Sequence, residues 1–301
     1  MLQSQRLRAE IALVILTIIW GLTFPVTRIV VAEMNSFALV FFRSLLATTV
    51  LLPFVFIKKE DRKDCFKFLP IGFLLGFLVY LSYLFQSFGL ETITSARSAF
   101  LTNLTIIFVP LLSPLFQRQY PNYKDFISMF IAFVGMIFLT SPFDGSGLGA
   151  GDLWTITCAI TFSIHIHVLQ KIVKTFEKSK IFAFLEIMVM CLFAATFLPF
   201  AQNKGNVHFL PTSLESFAAL FYLGAISMVA TTMLQAKYQY KTTPERASLI
   251  YILEPLFAIL FGYVILNESM TSKAMFGGSL IILAVVWVYF FQLGKNLLKS
   301  N

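Results

Sequence analysis

Cysteine is scarce in this chain and poorly placed for chemistry. Cys65, Cys158 and Cys191 are the only three in 301 residues. They form no C-x-x-C pair, which excludes a disulfide framework. Histidine is equally rare, with three, and neither H-E-x-x-H nor G-x-S-x-G occurs. A metallohydrolase and a serine nucleophile elbow are therefore not expected. Paired carboxylates are missing too, since Asp152 and Glu186 lie at opposite ends of their segments. A G-x-G-x-x-A match at Gly145, Gly147 and Ala150 follows no strand and opens an apolar helix, so it is no nucleotide fingerprint. No ring of charges marks a channel filter. The chain is expected to be no enzyme and to need no metal or cofactor. The first apolar run is a full span rather than a short signal core, so no cleavable leader is expected.

What the chain has instead is apolar length. Hydrophobic residues make up 58% and mean hydropathy is +0.81, values of an integral membrane protein. Ten segments approach the ~20 residues that cross a bilayer: roughly 11–31, 36–57, 68–90, 97–116, 125–141, 153–171, 180–200, 214–235, 246–266 and 274–294. The net charge of +8 is distributed as topology demands and does not mark a nucleic-acid surface. Eighteen Lys and Arg residues fall in one set of alternating loops and at the termini. Only Arg28, Arg97, Lys204 and Lys273 fall in the other set. The positive-inside rule then places both termini in the cytoplasm.

The sequence also echoes itself. Moving Gln235–Val286 back by 149 positions lays it without a gap on Gln86–Ile137. Gln235 falls on Gln86, Arg246 on Arg97, Tyr251 on Thr102 and Glu254 on Thr105. The expected organisation is an all-α membrane protein of ten transmembrane helices. They form two five-helix repeats, 1–145 and 146–301, joined by a linker over 141–151. An odd number of spans inserts the second repeat upside down, the plan of secondary transporters with a midplane site.

Polar residues at membrane depth point to that site. The run 244–268 carries Glu254 and Pro255 near its centre. A carboxylate there costs about 2.5–3.5 kcal/mol on insertion scales, so it is rarely idle. Pro255 leaves the Tyr251 carbonyl without its helical donor. Trp20 lies far from the interfacial belt that tryptophan prefers. Tyr83 and Gln86 mark the third span, and Ser98, Thr102 and Thr105 form one face of the fourth. Arg43 in the second span either snorkels outward or pairs within the bundle. In the sixth span, aligning Phe162 with Trp20 sets His165 on Thr23, which makes His165 a cavity candidate. Asn103 and Thr105 complete a glycosylation sequon, but at membrane depth it carries no meaning.

At these residues the chain resembles the drug/metabolite transporter superfamily, in its ten-helix EamA-type branch. Trp20, Gly21 and Phe24 resemble its first-helix signature, and Arg43 with Leu45, Leu46 and Ala47 its second-helix motif. Ala99, Phe100 and Leu101 with Val109, Pro110 and Leu111 are similar to its fourth-helix pattern. Glu254 and Pro255 with Asn267 and Glu268 are similar to its ninth. The resemblance implies a cavity lined by helices one, three, four, six, eight and nine, and movement of small organic metabolites.

The expected function is thus secondary transport across the inner (cytoplasmic) membrane by alternating access, with Glu254 as a proton-coupling group or a counter-charge to a cation. The expected substrate-binding residues are Trp20, Tyr83, Gln86, Thr102, His165, Gln235, Tyr251 and Glu254. An amino acid or related zwitterion ranks first as substrate, a metabolite like S-adenosylmethionine second and a cationic drug third. The partners are a small molecule and the bilayer, without nucleic acid; a homodimer is compatible with the sequence.

Overall fold

The computed structural model describes residues 2–56, 59–117, 123–140, 148–201, 208–267, 272–273 and 275–283. It is nearly all helical, and the described residues contain no strand beyond a single bridge between Met34 and His208. The helices are α1 (Leu2–Val31), α2 (Ser36–Phe56), α3 (Lys59–Leu90), α4 (Ser95–Thr102), α5 (Thr105–Gln117) and α6 (Tyr123–Thr140). They continue with α7 (Ala150–Phe176), α8 (Ser179–Phe197), α9 (Leu214–Phe221), α10 (Val229–Tyr238), α11 (Pro244–Tyr251) and α12 (Glu254–Leu266). A π-helical stretch, Tyr222–Met228, joins α9 to α10.

Eight helices or helix series among the described residues are long and apolar enough to cross a membrane; α6 contributes a shorter apolar segment, Met129–Phe138. Most of the expected tenth span, and the linker over 141–147, lie outside the described residues. Large apolar side chains such as Leu115, Phe130 and Val264 face outward, as a bilayer-facing surface requires.

Glycines set the closest helix crossings. Gly21 of α1 lies against α12, where a Cβ would stand 2.4 Å from the Phe257 Cβ. Gly72 and Gly76 bring α3 onto Leu185 and Val189 of α8 in the same way. Small residues let backbones approach where lipid gives no hydrophobic drive for association.

Two spans are broken, and sequence explains both breaks. Pro255 has no N–H for the Tyr251 carbonyl, so α11 stops at Tyr251 and α12 starts at Glu254 with Pro255 in its first turn. In the other span Asn103 ends α4, and its side-chain amide donates back to the Ala99 carbonyl at 3.1 Å, in competition with the backbone ladder. Tighter bonds reaching three residues back bridge each gap, from Leu104 to Leu101 and from Leu253 to Ile250. The α4–α5 pair and the α11–α12 pair begin, break and resume at positions 149 apart. Each first half is capped by a threonine, Thr94 accepting from the Arg97 N–H and Thr243 from that of Arg246.

Outside the spans, Glu33 anchors the start of α9. Its carboxylate accepts from the Thr212 and Ser213 N–H groups and the Thr212 hydroxyl, each at 3.0 Å. Hydrogen bonding from Ser213 and then Thr212 holds its pKa at about 2, against an ordinary 4.5. A depressed carboxylate stabilises the fold above its unfolded pKa and loses that contribution as pH falls through its folded one. Glu33→Gln is expected to melt slightly earlier than the parent in detergent at neutral pH. That gap should close as pH is lowered from 4.5 toward 2.

Candidate functional site

A small cavity of about 40 Å³ lies beside the break between α11 and α12. Its walls are Trp20 and Thr23 from α1, Ser82, Tyr83 and Gln86 from α3, Thr102 from α4, Cys158 and Phe162 from α7, and Glu254 from α12. That volume suits a few waters and is far below the ~300–1,000 Å³ of a ligand pocket. As it stands, the cavity is too small for an organic metabolite.

Glu254 is the only carboxylate among the lining residues and is buried. It occupies the first turn of α12, where unpaired N–H groups and the helix dipole favour negative charge. Its Oε2 accepts from Asn103 Nδ2 at 3.0 Å. The two helix breaks are thus tied together through one amide and one carboxylate. On the opposite wall Gln86 reaches Thr102 Oγ1 at 3.5 Å, and Ser82 and Thr161 share a hydrogen bond at 2.9 Å. Trp20 supplies the aromatic wall, meeting Phe162 edge-on with centroids 5.4 Å apart.

Five of the eight expected binding residues, Trp20, Tyr83, Gln86, Thr102 and Glu254, line this cavity. The other three lie outside it. Gln235 and Tyr251 both donate to Gln239 Oε1, at 2.9 and 3.0 Å, forming a buried chain behind Trp20. They sit at the repeat equivalents of Gln86 and Thr102, so one half keeps its polar pair on a cavity while the other seals it with Gln239. His165 faces away, with its Nε2 3.2 Å from Glu186 Oε2 and the Phe162 ring stacked on its near side. The contact sets the imidazole beside a buried carboxylate on α8 without a hydrogen bond between them. His167 is buried between spans, its ring nitrogen 2.9 Å from the Val109 carbonyl.

Sequence reasoning missed Asn103, Cys158 and Ser82. A sequon match gives Asn103 no role at membrane depth, yet its amide holds the central carboxylate. The signal lay in the repeat itself, which places Asn103 opposite Ile252, two residues before Glu254.

Two ion pairs stand at the ends of the broken spans. Arg97 grips Asp152 with two hydrogen bonds, Nε to Oδ1 at 2.6 Å and Nη2 to Oδ2 at 3.0 Å. Asp152 also accepts from the Gly149 N–H at 2.7 Å. Its repeat counterpart is loose: Arg246 Nη1 lies 3.9 Å from Glu10 Oε1, without a hydrogen bond, while Arg6 holds that oxygen at 3.0 Å. Arg246 follows Arg97 by 149 positions, and Asp152 follows Glu10 by 142, the same offset that pairs Trp20 with Phe162.

The sequence profile of the EamA-like transporter family matches the chain twice, over residues 7–141 and 149–290. The chain belongs to this family. An uncharacterized transporter of Archaeoglobus fulgidus is 31% identical over 287 residues, covering 94% of this chain and 86% of that one. An S-adenosylmethionine uptake transporter of Rickettsia bellii is 23% identical, covering 86% and 85%. A protein of known crystal structure shares the fold with a TM-score of 0.73 at 14% identity, over 94% of this chain and 96% of its own. The EamA-type chain is thus a multi-pass membrane transporter.

Proposed function

We propose that this EamA-type protein is a secondary carrier of small organic metabolites in the cytoplasmic membrane, working by alternating access between two inverted repeats. The observation that carries this reading is the meeting of two broken helices at a cavity, joined by Asn103 and Glu254. Broken helices at membrane depth are tolerated where they line a site, and repeat-related ones are a feature of carriers. The double profile match supports two halves, 1–145 and 146–301. The favoured cargo is an amino acid or a related zwitterion. S-adenosylmethionine carries the same α-amino-acid end, and relatives named for its uptake make it a specific member of that class to test.

The mirrored ion pairs supply the gates. In this conformation Arg97–Asp152 is closed and Arg246–Glu10 is open by comparison; exchange of the two arrangements would move access from one side to the other.

The test is counterflow into proteoliposomes loaded with amino acids or S-adenosylmethionine. Saturable accumulation of label is expected; its absence for every compound, from folded protein, would remove the carrier reading. In the same assay Arg97→Asp and Asp152→Arg should each slow exchange by about tenfold or more, because breaking a part-buried pair leaves the remaining charge unpaired. Combining the two should restore most of the rate. A double variant as slow as the singles would show that the pair is not a gate.

A further inference from the structure

Arg43 stands out among the charges that the transport cycle above does not use. It lies about two turns into α2 at 1% exposure, and its Nε has no hydrogen-bond partner. No carboxylate pairs with it among the described residues. Its visible partner is the Tyr83 ring, with the guanidinium carbon 4.2 Å from the centroid. A cation over an aromatic face recovers part of what burial costs, but leaves the Nε–H of the guanidinium unserved. A buried charge without hydrogen bonds is costly to keep.

The surroundings hold Arg43 at this position. Gly224, in the π-helical stretch Tyr222–Met228, lets that segment approach so closely that a Cβ there would lie 2.8 Å from the Arg43 carbonyl. Single π turns cluster at functional sites. Tyr83 is the partition: one side carries the guanidinium, and the residue itself lines the cavity that Glu254 closes. Charges of both signs are near enough to act on the Tyr83 hydroxyl: the Arg43 guanidinium, and the carboxylates of Glu186 and Glu254.

We propose that Arg43 is the carboxylate anchor of the transported substrate, which is a zwitterion bound between Arg43 and Glu254. This rests on the carrier reading above and specifies its substrate class. When the cavity widens, the Tyr83 side chain turns aside and the substrate carboxylate takes the guanidinium fork with two parallel hydrogen bonds. The ammonium or sulfonium end lies toward Glu254, against the aromatic wall that Trp20 supplies, where cation–π attraction adds to the charge. A neutral or purely cationic compound leaves Arg43 as unserved as before, so the anchor selects for the acid group.

The experiment measures half-saturation in counterflow for the full-length protein. The probes are pairs that differ only in the carboxylate: L-methionine with 3-methylthiopropylamine, L-phenylalanine with phenethylamine, and S-adenosylmethionine with its decarboxylated form. The acid of at least one pair should be favoured about tenfold to a hundredfold over its amine. Arg43→Gln should erase that preference by weakening the acid alone. Arg43→Lys, which keeps charge but loses the fork, should retain an intermediate preference. Amines carried as well as acids would overturn the proposal while leaving the carrier reading intact, as would an acid preference that survives in Arg43→Gln. Transport of neither member of any pair would overturn it as well. Should Arg43→Gln fail to fold, Arg43→Lys provides the independent reading, since it keeps the charge and loses the fork; an acid preference as large as the parent's there would overturn the assignment.

Discussion

Glu254→Gln is expected to leave the protein folded and to cut counterflow by about tenfold or more. Glutamine has nearly the shape of glutamate, and its side-chain oxygen still accepts from Asn103, so the tie between the two helix breaks survives. What disappears is the one carboxylate on the cavity wall. A carboxylate at membrane depth that neither snorkels nor forms a described ion pair has its counter-charge supplied by cargo or by a proton. The variant should melt within a degree or two of the parent, lose most exchange and show a flattened pH profile. Unchanged kinetics and an unchanged pH profile would reduce Glu254 to a structural acceptor for Asn103. Measuring both pH profile and melting temperature separates the two roles.

A second substitution should act through packing alone. Gly21→Val is expected to destabilise the fold by about 1–3 kcal/mol or more, the range for overpacked interiors. Its Cβ would sit 2.4 Å from the Phe257 Cβ and 3.0 Å from the Ala258 nitrogen, against the 3.5–4.0 Å at which carbon atoms rest. The obstacle is partly backbone, so no rotamer change relieves it, and α1 and α12 must separate. Separation also pulls Trp20 away from the cavity. Thermal melting in detergent should show a drop of several degrees, with transport lost in parallel. A variant as stable as the parent would mean that the α1–α12 crossing is looser than the structure shows.

Much of this architecture was legible because bilayer constraints are strict. Apolar length located the spans, and Pro255 marked the disturbance where α11 gives way to α12; the structure adds a break at Asn103, at the same point 149 residues earlier. Trp20, Tyr83, Gln86, Thr102 and Glu254 were legible as polar or aromatic residues at membrane depth. Asn103 was not, because face arithmetic assumes an unbroken helix of 100° per residue and puts it beside, rather than on, the Thr102 face. The break at 103–104 resets that phase. His165 lies off the cavity wall for another reason. Alignment placed it on Thr23, which does line the cavity, but pairwise spacing carries no information about Glu186 on a different span. The loose and tight ion pairs were equally hidden, because each joins residues far apart in the chain.

The bond between Asn103 and Glu254 also bears on why the two halves are one polypeptide. The position equivalent to Asn103 holds Ile252, and the position equivalent to Glu254 holds Thr105. Two copies of the first half, assembled face to face, would bring together two amides and no acid. Two copies of the second would oppose two carboxylates with no amide to hold either. Only unlike halves put a single negative charge and its donor at the crossing, and a fused gene guarantees that unlike halves always meet in equal number.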